Sequence, residues 1–165
     1  MLNRNLRQTR QNAQAFLDAV VMGDLETVKR LLDKGVPVNA RDPEHDETAL
    51  ILALRFKKDA IARRLLAQGA DVNARQREGQ TPVVDADVSM LPELRDAGAD
   101  IQAADNECMT VLINAIKRAE YEKAKWLIEN GANRAAKDNE GQTALDYTEC
   151  NGMLGIIAIL QRESQ

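Results

Sequence analysis

One ten-residue pattern constrains this chain more than anything else in it. LLAQGADVNA at 65–74 is echoed by LLDKGVPVNA at 31–40, LRDAGADIQA at 94–103 and LIENGANRAA at 127–136. Gly35, Gly69, Gly98 and Gly131 follow one another at intervals of 34, 29 and 33 residues. Thr48, Thr81, Thr110 and Thr143 keep step, each opening a T-(A/P/V)-(L/V) triplet. Self-similarity at about 33 residues marks a repeat array, and it limits the fold more tightly than any local secondary-structure preference.

The letters of the unit say how each copy folds. Ile61-Ala62-Arg63-Arg64-Leu65-Leu66 places apolar side chains on one helical stripe. Gly69 then falls where a helix-ending residue takes positive φ, a conformation that glycine adopts at little steric cost. A polar turn, 76–80, leads to Thr81, and a threonine ahead of an apolar run can cap the first amides of a new helix. The predicted class is an all-α repeat solenoid of about five copies.

Composition fits that class. In 165 residues, 44% are hydrophobic and only 3% aromatic, so the core is Leu, Ala, Val and Ile packed between small helices. Length gives one domain as the expectation. The net charge of −4 disfavours unspecific nucleic-acid binding. No apolar run approaches the ~18–20 residues of a membrane span, and no apolar segment of signal-peptide length follows the basic start. Cys108 and Cys150 fall in places too far apart for a disulfide. Free thiols suit a reducing compartment, so a cytoplasmic protein is expected.

The units resemble those of the ankyrin-repeat family, whose pattern runs D-x-x-G-x-T-P-L-H-x-A-A and then V-x-x-L-L-x-x-G-A-D-V-N-A. Glu78-Gly79-Gln80-Thr81-Pro82 and Glu140-Gly141-Gln142-Thr143-Ala144-Leu145 match the first half; Leu25–Leu32 and Leu65–Ala74 match the second. The resemblance covers residues 13–160 and implies a β-turn and two antiparallel helices per copy. A basic, polar lead-in (1–12) with Arg4, Arg7 and Arg10 precedes copies at 13–41, 42–75, 76–105, 106–138 and 139–165. The first lacks the threonine opening, as a terminal cap would. The last ends in Leu154–Leu160 and a polar tail, 161–165. No copy carries the family's histidine after T-P-L: Ile51, Val84, Ile113 and Asp146 stand there, which predicts loosened ties between turns.

Two copies depart from the pattern. The second has one residue too many between Asp42 and Thr48, so its turn should bulge. The third is short. Ala86 and Gly98 are 12 residues apart, where Ala53–Gly69 and Ala115–Gly131 span 16. One helical turn is missing near Val88-Ser89, leaving a stub of first helix over 81–87. Pro92 suits the first turn of a shortened second helix.

Catalytic machinery is not expected. His45 is the only histidine, in a turn, and no phosphate-binding glycine loop is present. Asp85 and Asp87, two apart, point in different directions on a helix. No metal or cofactor is expected, and an enzyme built on Asp85, Asp87 and His45 lacks a positioned nucleophile. Trp126, beside the Leu127-Ile128 core pair, reads as packing between copies.

What the resemblance implies about function is protein docking, through turn tips and the exposed ends of first helices along a concave face. Those helix ends are Val21 and Met22, Arg55, Phe56 and Lys57, Lys117 and Arg118, then Cys150 and Asn151. The turn tips offer Glu44, His45 and Glu47; Arg77, Glu78 and Gln80; Asn106, Glu107 and Met109; Asn139, Glu140 and Gln142. An exposed Phe56 among cations resembles an interface core. The expected partner is one folded protein, held by a module that is monomeric when free, with no nucleic acid and no membrane. Asp85 and Asp87 would floor a notch left by the missing turn. Two rival readings are a bacterial toxin-neutralising immunity protein docking in the same way, and a nucleic-acid binder using Arg55, Lys57, Lys58, Arg63, Arg64, Lys117 and Arg118.

Overall fold

The computed structural model describes residues 2–161, without the side chains of 2–7 and 151. The polar tail at 162–165 and the side chains of Arg4 and Arg7 therefore lie outside the described residues. The described chain is all helical, with no strand, and it divides into two compact units, one running to Arg77 and the other beginning at Glu78.

The first unit holds α1 (Leu2–Met22), α2 (Leu25–Asp33), α3 (Ala49–Arg55) and α4 (Asp59–Ala67). Helix α1 begins well before residue 13, so the lead-in and the first copy share one helix. Helix α1 packs against α2 and α3, and α3 against α4. Phe16, Leu50, Leu54, Ile61 and Leu65 are fully buried, each contributing roughly 1.5–3 kcal/mol by leaving water.

The second unit holds α5 (Pro82–Asp85), a 3₁₀ turn (Val88–Met90), α6 (Leu91–Asp96), α7 (Val111–Lys117), α8 (Tyr121–Glu129), α9 (Ala144–Asn151) and α10 (Leu154–Leu160). Its core is Met90, Leu91, Leu94, Leu112, Ile113, Ile116, Leu127 and Ile156. Helix α5 is the predicted stub, and Pro92 sits in the first turn of α6.

Helix starts and stops follow the repeated letters. Thr48, Thr110 and Thr143 accept the backbone N–H of Ile51, Ile113 and Asp146, and Asp146 returns a bond to the Thr143 N–H. Gly69 has φ 78°; its N–H donates to Leu66 and that of Ala70 to Leu65. This paired closure absorbs two of the carbonyls a helix end leaves open. Identical pairs of bonds close α2, α6 and α8 at Gly35, Gly98 and Gly131. Helices α3 and α7 close the same way, but with Lys57 and Ala119 in the left-handed conformation, where a Cβ costs energy.

Successive turns are tied to one another. Within the first unit the Arg77 N–H donates to the His45 carbonyl. Within the second, Asn106 donates to Glu78 and Asn139 to Glu107, each at 3.0 Å. The missing family histidine has therefore not left these turns without polar ties. Asp105 and Asp138 brace their own turns, accepting N–H bonds from Glu107 and Met109 and from Glu140 and Gln142. The extra residue of the second copy widens its turn: Asp46, at φ 59°, donates across four residues to Asp42, whereas Cys108 and Gly141 each reach back three.

Candidate partner-binding grooves

In the first unit the end of α3 and the tip of the widened turn enclose a groove of about 310 Å³. Helix α1 lends Gln14, Leu17, Asp18 and Val21; the turn lends Asp42, His45 and Glu47; α3 lends Leu52 and Arg55, and Phe56 follows at its end. Leu17 and Leu52 are buried, while Phe56, which caps the end of α3, is 45% exposed. Met22, at the end of α1, is 81% exposed. Val21, Arg55 and Phe56 were legible as candidates in the sequence, and the fold gathers them around one groove; Lys57 follows them, exposed.

The electrostatics of this groove differ from the expectation. Arg55 does not project as a free cation: its guanidinium donates to the Glu47 carboxylate and, at 3.0 Å, to the Gln76 side-chain oxygen. Glu47, expected at a turn tip, is buried beneath it. Burial works against the Asp42 carboxylate, but N–H bonds from His45 and Glu44 outweigh it and hold Asp42 below the usual carboxylate range. Asp42, His45 and Glu47 bring one ligand atom each within 4.8 Å of the others. Arg55 already occupies Glu47, and the His45 N–H occupies Asp42 at 2.7 Å, so a cation there would have to compete with both.

The second unit has a smaller groove, about 210 Å³, lined by Glu107, Met109, Lys117, Asp138, Asn139, Glu140 and Tyr147. The Tyr147 hydroxyl donates to Asp138 at 2.6 Å. That bond holds Asp138 low and pushes Tyr147 up to about 12. The Lys117 ammonium lies 5.3 Å from the centre of the Tyr147 ring, a cation–π distance. Arg77 and Glu78 are exposed and Gln80 half-buried.

The gap expected at the short third copy is filled from within the second unit. The Asp85 side chain is 6% exposed and pairs with Arg118 at 3.2 Å. Lys123, on α8, is buried and donates to the Val84 and Ala86 carbonyls at 2.7 and 2.8 Å. Burial lowers its pKa, partly offset by Glu120 and Asp85. Asp85 and Arg118, offered by the sequence as binding groups, thus hold the unit together; Asp87 stays half-buried. Trp126 is half-buried beneath Arg95, whose guanidinium carbon is 5.8 Å from the ring centre.

Helix pairs in register, threonine starts, left-handed ends and tied turn tips define a helical repeat protein of the solenoid class. Two family models extend the assignment: "Ankyrin repeats (3 copies)" matches residues 2–76 and "Ankyrin repeats (many copies)" matches 94–147. The chain belongs to the ankyrin-repeat family. Among curated proteins it is similar to ankyrin repeat and SOCS box protein 6 of Homo sapiens, 29% identical over 79% of this chain and 34% of the relative. It is also similar to the mitochondrial disaggregase of Bos taurus, 30% identical over 81% of this chain and 20% of that protein. Neurogenic locus notch homolog protein 2 of Homo sapiens is 33% identical over 71% of this chain and 5% of its own length. The chain thus spans about a third or less of the curated relatives it matches. Ankyrin repeats are in general protein–protein interaction modules, and no described helix is long and apolar enough to cross a membrane.

Proposed function

We propose that this chain is a non-catalytic docking module that blocks or positions one protein partner through its turn tips and first-helix ends. One observation carries the reading. Each unit builds a groove from the same two parts, a turn tip and the end of a first helix; in the first unit half-exposed Phe56 lines it, and exposed Met22 follows the lining residue Val21 in the chain. Large apolar side chains ringed by polar groups are what interface centres are made of. The cations Arg55 and Arg118 are engaged by Glu47 and Asp85, which weakens a nucleic-acid reading. Both cysteines are free and exposed, which supports a reducing compartment.

The test is capture of partners by the intact protein, followed by mass spectrometry and measurement of affinity for the protein recovered. Phe56→Ala with Met22→Ser should weaken binding by about tenfold or more if the two are interface anchors. A recovered partner that binds the double variant as tightly as the parent would remove the first-unit surface from the account.

A further inference from the structure

The groove of the first unit carries more information than its apolar exposure, because its charges do not balance. Three carboxylates, Asp18, Asp42 and Glu47, line it against one guanidinium, Arg55. Arg55 is committed to Glu47. Asp18 accepts a bond from the neutral Gln14 amide at 2.9 Å. Asp42 accepts from the His45 N–H and faces the His45 ring at 3.4 Å. Neither Asp18 nor Asp42 pairs with a lysine or arginine among the described residues.

The same groove has an apolar floor, Leu17 and Leu52, and a half-exposed ring, Phe56, as one wall. We propose that its occupant is an arginine side chain of the protein partner. This rests on the docking function above and specifies what the groove reads. An arginine stem covers apolar surface while its head stays polar. Its flat guanidinium stacks on an aromatic face and offers paired donors to a carboxylate. A lysine supplies the charge without the plane or the fork. At about 310 Å³ the groove is at the small end of ligand sites, sized for one long side chain and its neighbour. Anionic groups, phosphates included, meet the Asp18 and Asp42 carboxylates, neither of which pairs with a lysine or arginine among the described residues, and are disfavoured.

The experiment titrates the full-length, ¹⁵N-labelled protein with three capped pentapeptides, Ala-Leu-X-Leu-Ala, in which X is Arg, Lys or Glu. The arginine peptide should give saturable amide shifts centred on Val21, His45 and Phe56, bind at least about fivefold more tightly than the lysine peptide, and weaken as salt rises. The glutamate peptide should not saturate. Phe56→Ala and Asp18→Asn should each weaken the arginine peptide several-fold. Asp18 lies on an exposed helix face, so that variant keeps the test valid if Asp42→Asn disturbs the turn. Shifts equal for arginine and glutamate, or unchanged in Asp18→Asn, would overturn the arginine assignment while leaving protein docking in place. Absence of saturable shifts with all three would overturn it too. A captured partner that also ignores Phe56 and Met22 would remove the first-unit surface as a docking site, a result read independently of the peptide titration.

Discussion

Helices α5 and α7 begin at the same place in the repeat, on a threonine before an apolar run, and then part. In α7 the Thr110 hydroxyl accepts the Ile113 N–H. In α5 the Thr81 hydroxyl is buried with no hydrogen-bond partner among the described residues, and Pro82 opens the helix. Helix α7 runs seven residues and closes through left-handed Ala119. Helix α5 stops after four, with Ala86 extended at φ −73° and ψ 139°. The Val84 and Ala86 carbonyls, left open by the lost turn, receive the Lys123 ammonium, while Arg118 takes Asp85. A repeat can thus lose a helical turn when the next copy supplies side-chain donors in place of the missing amides. Buried carbonyls have to be paired somewhere.

Lys123→Met strands the Ala86 carbonyl and weakens the pairing of Val84. Relief from desolvating the ammonium offsets some of that, so the expected loss is about 2 kcal/mol by denaturant unfolding. No loss would mean that water serves those carbonyls as well as the lysine does. Thr110→Val should cost about 1 kcal/mol by removing a cap, whereas Thr81→Val should be neutral or slightly stabilising, since it deletes an unpaired buried hydroxyl. Equal costs at both sites would show that the two starts are alike in solution. At the other ends, Ala119→Gly should stabilise by roughly 0.5–1 kcal/mol by relieving a left-handed alanine, and Ala86→Gly should destabilise by about as much.

The smallest effect is at acid pH. Asp138 is held low by the Tyr147 hydroxyl and by N–H bonds from Gln142 and Glu140. Its stabilisation is present above the ordinary aspartate value of 3.8 and lost as pH falls through the lower folded-state value. Amide exchange at Glu140 and Gln142 should therefore gain extra opening below about pH 4. The turn of the third copy, where Gln76 replaces the aspartate, should not. Identical acid responses in the two turns would remove the aspartate brace from the account.

Much of this was legible in the sequence because the unit is periodic. Threonine and glycine in register placed the helix starts and the left-handed ends, and a spacing of 12 where other copies have 16 placed the short helix. What fills the gap was harder to read. Lys123 occupies the second-helix position that Ile61 and Met90 hold in neighbouring copies, all three buried. A lysine at a core position one repeat after a deletion was the available signal, but only the fold shows that its reach ends on Val84 and Ala86. The basic helix ends misled for a related reason. Arg55 and Glu47 are eight residues apart, and Arg55 and Gln76 are 21, so the turn has to fold before the cation is seen to be engaged. The groove shows the same limit: Val21 and Phe56 followed from the repeat pattern, whereas Asp18 and Asp42 joined them only through the packing of α1 on α3 and the widened turn.

The most direct measurement is a double-mutant cycle between Lys123→Met and a four-residue insertion after Asp85 that restores the lost turn. If Lys123 stands in for missing backbone donors, the lengthened helix supplies its own. The cost of Lys123→Met should then fall from about 2 kcal/mol in the natural chain to less than about 0.5 kcal/mol in the lengthened one, a coupling of about 1.5 kcal/mol or more. The same cost in both backgrounds would contradict the account and make Lys123 an ordinary buried side chain unconnected with the short repeat.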